Sequence, residues 1–286
     1  MTNLNEEQRR AVNHIYGPCL VLAGPGSGKT HTLVERIRHM VEDEGISSEE
    51  ILVLTFSKKA ACEMKNRFEN LMGNKPYGTV FGTFHAVFYG IIKNYYGYEK
   101  DSILTDSEKL KILKKIVLKR KQSSEILNVN NNFEEVGDNT RNRAINRQFL
   151  EELIGKISYI KATCNNDMDV HKYLQAFYTE NEESEFLNIY EAYIDECKKE
   201  KKIDFDDMMR LTRNLFKERE NVLKIYQKKY KYILVDEFQD INELQYDLLN
   251  MIAGQENNIF AVGDISIVDK IRRIKRGAYY SCEKVA

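Results

Sequence analysis

Near the start of the chain, short apolar runs alternate with segments that carry apolar residues at helical spacing. Cys19-Leu20-Val21-Leu22-Ala23 reads as a buried strand, and Lys29 to Val41 as the amphipathic helix that follows it. Ile51 to Phe56 is a second such strand, with a helix from about Lys58 to Leu71, and Gly78 to Phe81 a third that runs into a helix beginning near Thr83. The runs are continuously apolar rather than alternating, so these strands are buried on both faces, the pattern of a parallel sheet covered by helices.

From about Ile91 to Lys202 the pattern changes to Lys- and Glu-rich segments with apolar residues at helical spacing and no buried strand. Strand character returns at Tyr232 to Val235 and Ile259 to Val262, with a helix from Glu243 to Ile252 between them. The expected organisation is an α/β domain that is discontinuous in sequence, 1–90 and 203–286, carrying an inserted all-helical subdomain at 91–202. Leu127 to Arg147, rich in Asn and charge, is expected to be an exposed, mobile loop within the insertion.

Composition adds mainly exclusions. No apolar run approaches the roughly 20 residues of a membrane span, and the N-terminus is polar and acidic, unlike a signal peptide. The five cysteines are scattered without C-x-x-C pairing, which argues against a disulfide framework or zinc site and for reduced thiols in a cytoplasmic protein. His14, His31, His39 and His171 lack metal-ligand spacing and read as surface or packing residues. With a formal net charge of -1, any nucleic-acid binding has to come from local patches.

The strongest chemical signal follows the first strand. Ala23-Gly24-Pro25-Gly26-Ser27-Gly28-Lys29-Thr30 fits the phosphate-binding P-loop, with Ala23 at the first glycine position. Glycines let backbone N–H groups close around phosphate oxygens, and the helix starting near Lys29 adds its positive end. Lys29 is then expected on the β- and γ-phosphates of a nucleoside triphosphate, Thr30 on a magnesium ion, and Thr32 among the nucleotide-binding residues. A second carboxylate is needed at the end of a buried strand, and Asp236-Glu237-Phe238-Gln239-Asp240 supplies two adjacent ones after Leu234-Val235. Asp236 is the candidate magnesium ligand. Glu237 is the candidate general base for an attacking water.

Asp-Glu-Phe-Gln-Asp at 236–240 resembles the Walker B motif of superfamily-1 DNA helicases of the UvrD/Rep/PcrA kind. Further strings carry the resemblance: Leu4-Asn5-Glu6-Glu7-Gln8 with Ala11 is similar to the family's Q motif, which implies that Gln8 reads adenine and that the nucleotide is ATP. Thr55-Phe56-Ser57-Lys58-Lys59-Ala60-Ala61 resembles motif Ia and Gly82-Thr83-Phe84-His85-Ala86 motif Ib, which implies contact with single-stranded or partly duplex DNA by Thr55, Phe56, Ser57, Lys58, Thr83, Phe84 and His85. The chemistry suits that role: hydroxyls and helix N-terminal amides fit phosphates, and Phe56, Phe84 and His85 offer faces for bases. Asp204-Phe205-Asp206-Asp207-Met208 resembles a short family string with an expected structural role. The resemblance implies a RecA-like ATP-binding domain working on DNA, with repair or replication proteins as possible partners, and it extends to about residue 264.

Beyond Gly263-Asp264 the pattern departs from the family. Ile265 to Lys275 lacks the glutamine that senses the γ-phosphate in that family, the spacing is longer, and Arg276-Gly277-Ala278 then restores the usual ending. Coupling between ATP and DNA is therefore open. The family's second RecA-like domain, with its arginine fingers, is not in the 286 residues, so slow hydrolysis is expected, because such an arginine contributes roughly 10³ to 10⁵ in rate in related P-loop enzymes. Two other readings remain: a nucleotide-binding regulatory scaffold, and a P-loop small-molecule kinase, which the string at 236–240 disfavours.

Overall fold

The computed structural model describes residues 4–24, 26–73, 75–121, 133–134, 144–145, 147–164, 167–264 and 278–282. Most of the segment 127–147 and all of 265–277 lie outside the described residues, and with them the expected loop and the departure from the family pattern. The chain divides into two compact units, 1–90 with 212–286, and 91–211.

In the first unit α1 (Glu6–Asn13) precedes β1 (Cys19–Ala23), α2 (Lys29–Glu42), β2 (Ile51–Thr55), α3 (Lys58–Leu71) and β3 (Val80–Thr83), which runs into α4 (Phe84–Tyr96). The second unit contains α5 (Asp106–Lys121), the two-residue antiparallel pair β4 (Phe133–Glu134) and β5 (Ala144–Ile145), α6 (Arg147–Thr163), α7 (Asp167–Leu174) and α8 (Glu180–Lys199). One unit boundary falls within α4, between Gly90 and Ile91, and the other within α9 (Phe205–Glu218), after which α10 (Glu220–Lys229), β6 (Tyr232–Val235), α11 (Glu243–Ala253), β7 (Ile259–Gly263) and β8 (Ala278–Cys282) complete the first unit.

The sheet is six-stranded, ordered β3-β2-β6-β7-β1-β8, and every pairing in it is parallel. Opposite β3, the other neighbour of β2 is thus β6, from the far side of the insertion, with Leu54 opposite Val235. One face of the sheet, Cys19, Val21, Ile51, Val53, Leu234, Phe260 and Val262, packs with Leu33, Ile37, Met40, Met64 and Phe68 of α2 and α3. Leu20, Leu52, Leu54, Ile233, Val235 and Ala261 of the same strands are buried as well, which is why the strands read as unbroken apolar runs. α1 is tied to this core by the buried Arg36. Its guanidinium lies 4.2 Å from the Phe260 ring centroid and donates at 3.1 Å each to the carbonyls of Ala11 and Val12, which the end of α1 leaves open, and at 3.3 Å to that of Ile15 just beyond it.

The helical unit has its own core. Leu150, Leu153, Ile157 and Ile160 recur at helical spacing along α6 and pack with Leu113, Ile116 and Val117 of α5 and Phe186, Ile189 and Tyr193 of α8. Return to the first unit comes at Thr212, later than the expected position 203. The reason is local: Ile203 bridges to Ile103, and Asp204 and Asp207 bond Lys161 of α6, so the start of α9 belongs with the helices.

Candidate functional site

In a parallel sheet the carboxyl ends of all strands lie along one edge, and ligand sites of open α/β sheets form there. Here that edge carries the P-loop after β1, Thr55 to Lys58 at β2, Thr83 to His85 at β3, Asp236-Glu237 after β6 and Asp264 after β7. Neighbouring strands are roughly 5 Å apart. The nucleotide candidates therefore occupy the β6-β7-β1 stretch of the edge and the DNA candidates the adjoining β3-β2 stretch.

The loop after β1 is shaped by its glycines and by α1. Gly28 has φ +84°, a left-handed conformation costly for other residues, and a Cβ there would come 3.0 Å from Gln8 Nε2. Gln8 is buried and engaged at both ends: Nε2 donates to the Ser27 carbonyl at 2.8 Å, and Oε1 accepts from Asn5 N–H at 3.0 Å within a reciprocal capping box. Gln8 thus buttresses the loop from behind. Thr32 is buried with its hydroxyl donating to the Gly28 carbonyl at 3.2 Å, and Thr30 is half-buried at the first turn of α2. Pro25 lies outside the described residues.

Lys29 Nζ donates to Asp264 Oδ1 at 2.5 Å and to Glu237 Oε2 at 3.4 Å, which joins the ends of β1, β6 and β7 through one ammonium. Partial burial works to lower the Lys29 pKa, but the hydrogen bond to Asp264 and the charges of both carboxylates outweigh it and hold the pKa above its ordinary value. Asp236 is buried, its backbone N–H donates to Leu54 O at 2.9 Å, and its Oδ1 has no hydrogen-bond partner among the described residues. Burial and then the neighbouring Glu237 charge push its pKa up to about 6, only partly offset by the Glu237 N–H and Lys29. Lys29, already engaged by Asp264 and Glu237, is too weak a counter-charge for this carboxylate. The Ser27 hydroxyl is likewise buried without a partner among the described residues.

The DNA candidates separate into surface and interior. Phe56 is 68% exposed; Ser57 and Lys58 are exposed, with Ser57 Oγ accepting from Ala60 N–H at 3.1 Å as the N-cap of α3. Thr83 Oγ1 accepts from Ala86 N–H at 3.2 Å, and Thr83 and His85 are half-buried. Thr55 is buried and its hydroxyl donates to Ser57 O at 2.9 Å, so its side chain shapes the turn. Phe84 corrects the sequence reading. Its ring is 4% exposed and packs on Phe88 at 6.2 Å between centroids, so it offers no face to a base.

Sequence reasoning gave no role to Asp264 or Gln239, although both hold this site together. The signal for Asp264 was its place directly after a buried strand, the position that also marked Asp236. Among the described residues no group of three or more His, Cys, Asp or Glu is arranged to hold a metal ion, and no helix is long and apolar enough to cross a membrane.

A parallel sheet with a glycine loop and lysine after its first strand, opposed by carboxylates at two neighbouring strand ends, defines a P-loop α/β unit of the RecA-like kind. The chain belongs to the UvrD/REP helicase N-terminal domain family, whose model matches residues 4–266. It is 36% identical over 272 residues to YjcD of Bacillus subtilis (strain 168), covering 91% of this chain and 32% of that protein. It is 34% identical over 265 residues to the ATP-dependent DNA helicase PcrA of Staphylococcus epidermidis, and 32% over 268 residues to PcrA of Staphylococcus aureus (strain Mu50), each covering 92% of this chain and 33% of the relative. The chain thus spans about a third of the length of these relatives.

Proposed function

We propose that this polypeptide is the first motor domain of an ATP-dependent DNA helicase or translocase, binding ATP with magnesium at the β6-β7-β1 edge and single-stranded DNA at the adjoining β3-β2 edge. The observation that carries the reading is the convergence of Lys29, Glu237 and Asp264 beside a buried Asp236 oxygen that has no hydrogen-bond partner among the described residues. Magnesium fits that oxygen: it favours hard oxygen donors and takes one or two carboxylates, leaving its other positions to hydroxyl, water and phosphate. Thr30 and Asp236 are the residues that would hold it, and when bound it neutralises charge on the phosphate oxygens. A Cβ at Gly24 would meet nothing within 4 Å, so the glycine there is not required by protein packing and suits close approach of a phosphate.

In this reading Lys29 exchanges Asp264 and Glu237 for the β- and γ-phosphate oxygens, leaving Glu237 a carboxylate able to take a proton from water. Gln8 has a second amide N–H and a second lone pair left for adenine while it holds the Ser27 carbonyl, which would connect base recognition to the loop backbone. β6, the first strand of the nucleotide stretch, adjoins β2, and Asp236 N–H donates to Leu54 O near the end of β2, so the nucleotide and DNA sites share a strand contact. A cytoplasmic setting accompanies this function. Turnover by these residues alone is slow if, as in the family they resemble, an arginine has to come from a second domain.

Binding of a fluorescent ATP analogue with magnesium tests the reading. Lys29→Ala should weaken it by about 10- to 150-fold, the worth of hydrogen bonds to charged groups. Hydrolysis measured with and without single-stranded DNA should be abolished by Glu237→Gln. Absence of analogue binding by the unaltered protein, or indifference to Lys29→Ala, overturns the assignment. Binding without DNA affinity in low salt leaves a nucleotide-binding scaffold instead.

A further inference from the structure

Gln239 lies within the acidic string but outside its ligand set, and its side chain closes a ring. Lys29 Nζ donates to Asp264 Oδ1 and Glu237 Oε2; Asp264 N–H donates to Gln239 Oε1 at 3.1 Å; Gln239 Nε2 donates to the same Glu237 Oε2 at 2.5 Å. Of the two donors on that carboxylate oxygen, Gln239 is the nearer. Glu237 has φ +50° and ψ +48°, a left-handed backbone uncommon for a residue with a Cβ, and Asp240 N–H closes the turn onto Glu237 O at 2.9 Å. The backbone thereby aims the side chain. It does not fix the carboxylate, whose side chain is 38% exposed.

We propose that Gln239 is the positioning residue for Glu237, holding its carboxylate while Lys29 turns away to the phosphates, and tying it to the β7 end through Asp264 N–H. The inference rests on the reading of this site as ATP-hydrolysing. An amide is required because one end must donate to a carboxylate and the other accept from an N–H. Glu at 239 keeps the acceptor for Asp264 N–H but loses the donor and sets a second carboxylate against Glu237. Leu keeps comparable bulk and loses both bonds.

The test measures affinity for magnesium-ADP, the gain in affinity when aluminium fluoride is added as a mimic of the transferring phosphoryl group, and single-turnover ATP hydrolysis. Interactions made in the transition state appear in the second and third readouts and not in the first. Gln239→Glu and Gln239→Leu should keep ADP affinity within about twofold while losing about tenfold or more of both the fluoride gain and the turnover. Equal losses in the two variants identify the donor to Glu237 as the group that matters. The proposal is overturned if either variant traps ADP with aluminium fluoride like the unaltered protein, or if ADP affinity falls in step with turnover, which would make Gln239 a builder of the pocket. If the unaltered protein binds ADP but gains nothing from aluminium fluoride, the hydrolysis reading itself falls, and this inference with it; that failure is seen before any variant is made.

Discussion

Each unit of this protein contains a lysine facing two carboxylates, and the two triads differ in what they leave unsatisfied. In the helical unit Lys161 is fully buried between Asp204 Oδ2 at 2.7 Å and Asp207 Oδ2 at 2.9 Å. Tyr193 OH also donates to Asp204 Oδ2, and the two aspartates cap each other's backbone N–H groups at 2.9 and 3.2 Å. Burial works to lower the Lys161 pKa, yet the two carboxylate charges outweigh it and hold the lysine protonated. In the α/β unit Lys29 is 13% exposed, Glu237 38% and Asp264 35%, and the adjacent Asp236 keeps a bare oxygen. The same residue types make a lock where lysine, tyrosine and backbone N–H groups hold both carboxylates, and a site where, among the described residues, one carboxylate oxygen is left without a partner and the others can exchange theirs.

The comparison breaks most directly through the lysines. Lys161→Ala would strand two buried carboxylates and should cost about 3–5 kcal/mol, a large part of a typical domain's stability. Lys29→Ala acts on partly exposed partners and should change stability by no more than about 1 kcal/mol. Urea unfolding of the two variants side by side decides the matter; equal losses would erase the distinction between lock and site.

A smaller effect sharpens it. The Asp236 pKa is pushed up from 3.8 to about 6, so the folded state holds this proton more tightly than the unfolded chain does. The associated stability is fully present below about pH 4 and is lost as pH rises through about 6, a swing of about 2–3 kcal/mol. Asp236→Asn should therefore stabilise the protein by about that amount at pH 8 in EDTA, change nothing near pH 4, and abolish magnesium dependence of nucleotide binding. Thermal unfolding across pH 4 to 8 gives the answer, and parallel curves for variant and unaltered protein would remove the destabilisation assigned to the buried Asp236 charge.

How much was legible follows from which contacts are local. β1, β2, β6 and β7 announce themselves because burial on both faces leaves unbroken apolar runs, and each was read to within a residue of its observed ends. β3 begins at Val80 rather than Gly78, and β8, Ala-Tyr-Tyr-Ser-Cys, has neither an apolar run nor alternation to betray it. Lys29, Thr30 and Asp236-Glu237 were visible because loop spacing and strand ends encode them within a few residues. Asp264 and Gln239 were not, because their bonds across the site depend on β7 lying between β6 and β1, and Arg36 was not, because it pins α1 through contacts more than 20 residues away in sequence; no local pattern carries either. Phe56 and Phe84 show the same limit. Both are aromatic residues at a strand end, and only helix packing determines that one ring is outside and the other inside.

That last pair makes the mildest predictions. Phe56→Ala should leave stability within about 0.5 kcal/mol and weaken single-stranded DNA binding by about 1–3 kcal/mol if its ring stacks on a base. Phe84→Ala should lower DNA binding only as far as it lowers the folded fraction. Lys58, exposed beside Phe56, can neutralise a phosphate without reading sequence. Lys58→Ala should then weaken binding equally across sequences and lower the slope of log affinity against log salt by about 1. If the slope is unchanged while Phe56→Ala still weakens binding, the β2 end holds a base without its phosphate, and the backbone contacts belong to other residues of that edge.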